Sequence, residues 1–231
     1  MARTRELPPV PENPERSPPA WVAGEERVRV AGEPGEPSLE AAVRAPAGAK
    51  RAVLLCHPHP LYGGSMHSAV VLAIAKVLAE KRGGDVAHLR FNYRGVGESE
   101  GAYGEGVGET RDVLAALAEL RRRAPGAPIT VCGYSFGTWV GLRAAATARG
   151  VDRVMLVAPA VRIFDFIEED GLEFQGRLAI FVGDDDEFCD VAEAEALGKK
   201  LGATVTVVPG DHYFMKSRRK VAEQIVPWIA P

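Results

Sequence analysis

The sequence predicts an α/β fold in which helices cover both faces of a mostly parallel sheet. Short apolar runs have the length of buried strands, segments with apolar residues at helical spacing separate them, and glycines end several of these segments. Strands that are apolar throughout are typical of a parallel sheet with both faces buried. A chain of 231 residues, 46% of them hydrophobic, can bury such a core in one domain.

The elements follow in order along the chain. The first two strands form a hairpin, because residues 27–30 and 39–44 flank a turn at residues 32–37 and have the alternation of an antiparallel edge. From residue 51 onward, strands and helices alternate. We predict further strands at residues 51–56, 86–92, 129–132, 153–157, 178–182 and 204–208, which makes eight in total. We predict helices at residues 65–82, 108–123, 135–149 and 191–201 and from residue 213.

Residues 1–24 differ from the rest of the chain. They are rich in proline and have little apolar periodicity, so we expect a tail that is disordered or strapped across the surface, followed by a single domain at residues 25–231. The amino terminus lacks the apolar centre of a secretory signal, and no apolar run approaches the ~20 residues of a membrane span. We therefore expect a cytoplasmic protein that does not bind membranes.

Charge and cysteine content exclude several classes of function. The formal net charge of -3 offers no basic surface for nucleic acid. Three cysteines, an odd number without zinc-site spacing, indicate free thiols. The histidines at 57, 59 and 67 invite a metal-site interpretation, but no carboxylate accompanies them. We predict no metal and no cofactor.

A serine lies where a nucleophile is expected. Ser135 is the centre of Gly-Tyr-Ser-Phe-Gly, directly after an apolar strand and directly before a helix. A tight turn in this position raises the hydroxyl clear of the backbone, and glycines on either side remove side chains that would collide. The free amides at the start of the helix point at any developing oxyanion.

An acid and a histidine follow later strands. The strand at residues 178–182 leads into Gly-Asp-Asp-Asp-Glu at residues 183–187, so several carboxylates are available there. The last strand leads into Asp211 and His212. Since the carboxyl ends of parallel strands form one edge of the sheet, these loops and the Ser135 turn are expected to meet. The order Ser, Asp, His is the order of the α/β-hydrolase triad.

The chain resembles the α/β-hydrolases, and among them the small bacterial hydrolases similar to dienelactone hydrolase. The resemblance covers residues 27–231 and depends on the motifs at residues 56–64, 91–99, 133–137 and 183–187 and on Asp211-His212. It implies that Asp186 is the triad acid, with Asp184 as the alternative. Dienelactone hydrolase has a cysteine nucleophile where this chain has Ser135, so its lactone specificity is not implied.

The resemblance also implies two backbone donors for an oxyanion. The first is the N–H of Phe136, directly after the nucleophile. The second comes from the loop after the strand at residues 51–56, where the two prolines have no N–H. His59, Leu61 and Tyr62 remain, and we favour His59 by analogy with His-Gly motifs.

Little chain is available for a lid. The segment between the strands at 153–157 and 178–182 is too short for a separate cap domain, so we expect an open site. Its apolar residues could line an acyl pocket: Phe164, Phe166, Ile167, Leu172 and Phe174. Four aromatic residues flank the triad and are expected to contact substrate: Tyr62, Tyr134, Phe188 and Tyr213.

These features predict a serine hydrolase that cleaves a small carboxylic ester through an acyl-enzyme on Ser135. Its partner is expected to be a small ester or thioester, and the oligomeric state is left open. A thioesterase, an amidase or an acyltransferase would use the same triad. A non-catalytic binding protein on the same scaffold, and an interaction module formed by the tail, are further alternatives.

Overall fold

The computed structural model describes residues 9–11, 16–166 and 173–230. Within them, eight strands form one sheet in the order β1-β2-β4-β3-β5-β6-β7-β8. The strands are β1 Glu26–Val30, β2 Leu39–Arg44, β3 Arg51–Cys56, β4 Val86–Phe91, β5 Ile129–Tyr134, β6 Val151–Val157, β7 Arg177–Gly183 and β8 Thr204–Val208. Pairs β1·β2 and β2·β4 are antiparallel, and all the others are parallel. The predicted mostly parallel eight-stranded sheet is confirmed.

Helices cover both faces of this sheet. They are α1 Ala69–Arg82, α2 Val107–Arg123, α3 Phe136–Thr147, α4 Val191–Leu201 and α5 Arg218–Ile229. Successive strand residues point to opposite faces, and β3 shows this directly. Leu54 packs in the apolar cluster that contains residues of α2, α3 and α4, whereas Val53 and Leu55 pack in the cluster that contains residues of α1 and α5. The two clusters are the two halves of the core.

Two helices begin at least one helical turn later than the sequence predicts. Helix α1 begins at Ala69 instead of residue 65, because the N–H of Ser65 donates to the Ser68 hydroxyl and that of Met66 donates to Asn92 Oδ1. Helix α5 begins at Arg218 instead of residue 213. The intervening residues form turns in which Phe214 has a φ of 48°. In both places, local hydrogen bonds of polar side chains or a left-handed residue delay the regular helix.

The parallel strands deliver three loops to one edge of the sheet. Strands β5, β7 and β8 end at Tyr134, Gly183 and Val208, and β6 separates β5 from the other two. The link between β6 and β7, residues 158–176, is far shorter than the ~40 residues below which a domain seldom folds alone. Among the residues that the structure describes, the carboxyl-terminal edge therefore carries no separate cap domain. None of the helices in the described ranges combines the length and the hydropathy needed to cross a bilayer.

Candidate active site

Ser135 occupies a strained turn between β5 and α3. Its φ of 54° and ψ of −119° lie in a region that residues with a side chain rarely adopt. A Cβ atom added at Gly133 would collide with the carbonyl of Gly137, and one added at Gly137 would collide with the carbonyl of Cys56. Only glycine fits at these two positions, so the turn has the local geometry that the motif predicts.

Ser135, His212 and Asp186 form one hydrogen-bonded chain. Ser135 Oγ lies 2.9 Å from His212 Nε2. The other ring nitrogen, Nδ1, lies 2.9 Å from Oδ2 and 3.0 Å from Oδ1 of Asp186. A carboxylate only accepts hydrogen bonds, so the proton of a neutral His212 is on Nδ1 and Nε2 is free to accept from the serine. The structure thus brings together the three residues predicted from the sequence.

The other candidate acid has a different partner. Asp184 Oδ1 accepts the N–H of Gly210 at 2.9 Å, which links the loop after β7 to the loop after β8. Asp186 is only 4% exposed, and its Oδ1 also accepts the N–H of Phe188 at 2.8 Å. The hydroxyl of Tyr134 donates to the carbonyl of His212 at 3.2 Å. Acid and histidine are therefore both held by bonds outside the pair.

The three candidates for the second oxyanion donor differ in their hydrogen bonds. The N–H of Leu61 donates to the Nδ1 of His59 at 3.2 Å, and that of Tyr62 donates to the carbonyl of His59 at 3.2 Å. No described residue accepts the N–H of His59. The N–H of Phe136 belongs to the first turn of α3, where helix amides lack an intrahelical acceptor. Among the candidate donors, Phe136 and His59 are thus the two whose amides have no acceptor in the described part of the chain.

The two histidines that directly follow β3, His57 and His59, are neutral at pH 7. Burial lowers the pKa of His57 to about 3 and that of His59 to about 4. His57 donates through Nδ1 to the carbonyl of Pro58 at 2.7 Å and accepts the N–H of Tyr93 at 3.1 Å. Its side chain is fully engaged in holding the loop against the turn after β4. Across the described ranges, no group of three or more His, Cys, Asp or Glu side chains is arranged to hold a metal ion.

A cavity of about 350 Å³ opens beside Ser135. All four aromatic residues predicted to contact substrate line it, namely Tyr62, Tyr134, Phe188 and Tyr213. This volume lies at the lower end of the range of small-molecule sites. The cavity can therefore accept a small substrate next to the serine.

The residues that line the cavity differ in part from those predicted to form an acyl pocket. Of the apolar residues between β6 and β7, Phe164 lines the cavity, Phe166 is buried in the core, and the partly buried Phe174 packs against the core. Ile167 and Leu172 lie outside the described residues. Sequence reasoning missed Ser17, Val70, Ile163 and Arg218, which also line the cavity. No motif marks them, because their positions depend on how separate elements pack.

A protein-family model matches part of the chain. The family model described as "Serine aminopeptidase, S33" matches residues 47–165, a little over half of the chain. The matched region contains Ser135 and ends before Asp186 and His212.

Two solved structures are similar over nearly the whole chain. An α/β serine hydrolase homologue from Coxiella burnetii is 29% identical with a TM-score of 0.76, covering 91% of this chain and 100% of that one. An α/β serine hydrolase without a lid from Xanthomonas campestris is 28% identical with a TM-score of 0.77, covering 93% and 99%.

A curated relative matches a shorter stretch. An uncharacterised protein of Rickettsia prowazekii is 37% identical over 109 residues, which is 47% of this chain and 44% of that protein. The chain thus matches less than half of the length of this relative.

Proposed function

Because the chain belongs to the serine aminopeptidase S33 family of α/β-hydrolases, we propose that it is a serine hydrolase that cleaves a small carboxylic ester. The observation that carries the proposal is the hydrogen-bonded chain from Ser135 through His212 to Asp186, beside an open cavity. This arrangement is the one that nucleophilic acyl transfer requires.

Each group has a role in the proposed mechanism. His212 Nε2 accepts the proton of Ser135 as Oγ attacks the ester carbonyl, and Asp186 stabilises the imidazolium that forms. The N–H groups of Phe136 and His59 hold the negative charge on the former carbonyl oxygen. His212 then donates the proton to the leaving alcohol, which leaves an acyl-enzyme on Ser135. A water molecule activated by His212 releases the acid by the same steps.

The described lining of the cavity suits the apolar acyl chain of an ester. An aminopeptidase, the activity in the family's name, has to bind a substrate ammonium group, for which a carboxylate is the usual partner. The described residues that line the cavity include no Asp or Glu, and Arg218 is among them. Val70, Ile163 and Phe164 offer an apolar surface instead, which suits an acyl chain. A thioester would fit the same surface and is the second candidate.

The test is a panel of nitrophenyl esters and acyl-thioesters of graded chain length. We expect hydrolysis by the native protein and a loss of at least about 10³-fold in kcat for Ser135→Ala, because no nucleophile remains. Ser68→Ala is the matched control, since this serine also lines the cavity but its hydroxyl accepts the N–H of Ser65. Equal activity of the native protein and Ser135→Ala would remove Ser135 from the mechanism.

A fluorophosphonate probe separates a hydrolase from a binding protein on the same scaffold. We expect covalent labelling at Ser135 in the native chain and no labelling of Ser135→Ala, because the probe reacts with an activated serine. Peptide mass spectrometry identifies the labelled residue. A native protein that the probe does not label would contradict the proposed hydrolase function.

A further inference from the structure

We propose that residues 16–24, here called the strap, are a working part of the active site. In this proposal, which rests on the hydrolase function proposed above, Arg16 holds the oxyanion loop in position and Ser17 forms part of the pocket wall. The oxyanion loop is defined as residues 59–64. The strap would then supply part of the enclosure that a cap domain supplies in larger enzymes.

Partly buried hydrogen bonds fix the middle of the strap to β4 and to the loop before α1. The N–H of Ala20 donates to the Nδ1 of His67 at 3.1 Å, and its carbonyl accepts from Arg90 Nη2 at 2.8 Å. Arg90 itself is fully buried and also donates to both carboxylate oxygens of Glu25, at 2.7 and 2.6 Å. Since charged groups are rarely buried without partners, these bonds define one position for the strap.

The amino-terminal end of the strap contacts the oxyanion loop. Arg16 Nη1 donates to the carbonyl of Gly64 at 2.6 Å. The N–H of the same glycine donates to the carbonyl of His59 at 3.1 Å, which closes the loop on itself. A side chain at Gly64 would collide with the carbonyl of Pro58, so the loop is tightly folded at this point. Arg16 therefore fixes Gly64, and Gly64 is hydrogen-bonded to His59, the proposed second oxyanion donor.

Burial supports this role for Arg16. Desolvation lowers the pKa of its guanidinium below the ordinary value, as expected for a cation drawn partly out of water. A bond between a charged donor and a carbonyl is stronger than one between neutral groups. The hydrogen bond from Arg16 to Gly64 is thus strong enough to hold the oxyanion loop in position.

The next residue reaches the cavity. Ser17 lines the same cavity as Ser135 and is partly buried, whereas Pro18 and Pro19 are exposed. The two prolines have a fixed φ and stiffen the strap between Ser17 and the anchor at Ala20. Bulk added at residue 17 is therefore expected to take volume from the cavity, and bulk added at residue 19 is expected to point into solvent.

The first experiment changes Arg16 in the full chain. We expect Arg16→Met to lower kcat on nitrophenyl acetate roughly tenfold with a smaller change in KM, since a displaced donor weakens the transition state more than substrate binding. Arg16→Lys keeps one donor and is expected to recover part of kcat. Arg122→Met, which removes an exposed arginine from the end of α2, is the matched control. Thermal unfolding is measured for each variant, so that kcat is compared well below every midpoint.

The second experiment changes the shape of the wall. We expect Ser17→Trp to lower kcat/KM for long-chain esters roughly tenfold more than for the acetate. Ala118→Trp, at an exposed position of α2 outside the strap, is the matched control and is expected to keep the native chain-length profile. An Arg16→Met variant with the kcat of Arg122→Met, or a Ser17→Trp variant with the native profile, would overturn the proposal.

Labelling with the fluorophosphonate probe distinguishes a failure of the hydrolase function from a failure of the strap proposal alone. If the native chain is not labelled at Ser135, the hydrolase function fails and the strap proposal fails with it. If the native chain is labelled and Arg16→Met is labelled at the same rate, the strap proposal alone is overturned. Slower labelling of Arg16→Met supports it.

Discussion

Asp186 presents both of its carboxylate oxygens to His212, at 3.0 Å for Oδ1 and 2.9 Å for Oδ2. Oδ1 is also bonded to the N–H of Phe188. The N–H of Phe188 thus anchors the carboxylate, which in turn orients the imidazole of His212. Asp186 is buried, so water has almost no access to this pair.

Replacing this carboxylate by an amide reverses a hydrogen bond. In Asp186→Asn, an amide N–H can face Nδ1, which favours the tautomer with the proton on Nε2 and removes the acceptor for Ser135. We expect kcat on a nitrophenyl ester to fall by roughly 10³- to 10⁴-fold. The matched control is Asp184→Asn in the same loop, whose carboxylate bonds Gly210 instead, and it should lose less than about tenfold. Similar losses in the two variants would contradict the assignment of Asp186.

The Ser135 turn predicts a difference between two glycine substitutions. The added methyl of Gly133→Ala would meet the backbone carbonyl of Gly137, which cannot move without displacing the nucleophile. We expect a loss of stability of about 2 kcal/mol or more and a loss of activity. Gly84→Ala has open space around the added methyl and should lie within about 0.5 kcal/mol of the native protein. Urea unfolding and ester hydrolysis, measured together, check both expectations.

The buried ion pair beneath the strap predicts how stability depends on pH. Burial alone would raise the pKa of Glu25, but hydrogen bonds from Arg90 and His88 outweigh it and lower the pKa to about 2, against an ordinary value of 4.5. The charged form therefore stabilises the fold fully above pH 4.5, and this stabilisation is lost as the pH falls towards 2.

Glu25→Gln removes this contribution and leaves the charge of Arg90 buried. We expect the free energy of unfolding to fall by about 3 kcal/mol at pH 7. The difference in this free energy between variant and native protein is expected to narrow as the pH falls below the ordinary pKa of glutamate. Urea unfolding across this range measures the gap. Glu80→Gln, which removes an exposed partner of Arg219, should change the midpoint little. A gap of constant size at every pH would contradict the coupling of Glu25 to the fold.

The cysteines are expected to be inert in the folded protein. Burial raises the pKa of Cys56 and of Cys189 to about 12, and it also raises the pKa of Cys132. Because the thiolate is the reactive form, iodoacetamide at neutral pH should leave the native protein unmodified and active, and should alkylate three thiols in urea. Ser135→Cys is the positive control, since its thiol would face His212 and the cavity. Mass spectrometry counts the adducts.

Much of the sheet could be predicted, because each strand is a short apolar run with a clear end. The helix starts at Ala69 and Arg218 could not, because they depend on tertiary bonds such as that from Met66 to Asn92 and on turns after β8. Ser135 and His212 were accessible from their order and their place after strands, whereas the choice of Asp186 among the carboxylates after β7 came from the resemblance to the α/β-hydrolases. The division of the chain at residue 24 stays a prediction.

The strap shows why the rest of the site was missed. Arg16 and Ser17 lie in a proline-rich segment without periodicity, and nothing near them in the sequence indicates a pocket. Arg90 fixes the neighbouring Ala20 by a hydrogen bond. It is a charged residue in the buried strand β4, and its partner Glu25 is distant in sequence. A charge inside a buried strand was the one local sign that a partner from elsewhere had to cover it.

Aromatic rings surround the side chain of His59. The rings of Phe136, Tyr62 and Tyr103 lie 4.8, 4.9 and 5.1 Å from it, and its Nε2 is within 3.3 Å of the Tyr103 hydroxyl. Such packing leaves few alternative rotamers, so the ordering of this loop is complete once the chain has folded. A boronic acid that mimics the tetrahedral adduct should therefore bind in a single kinetic phase. In stopped-flow traces, a second and slower phase, with a rate independent of the concentration of the boronic acid, would reveal a rearrangement of this loop and contradict the expectation.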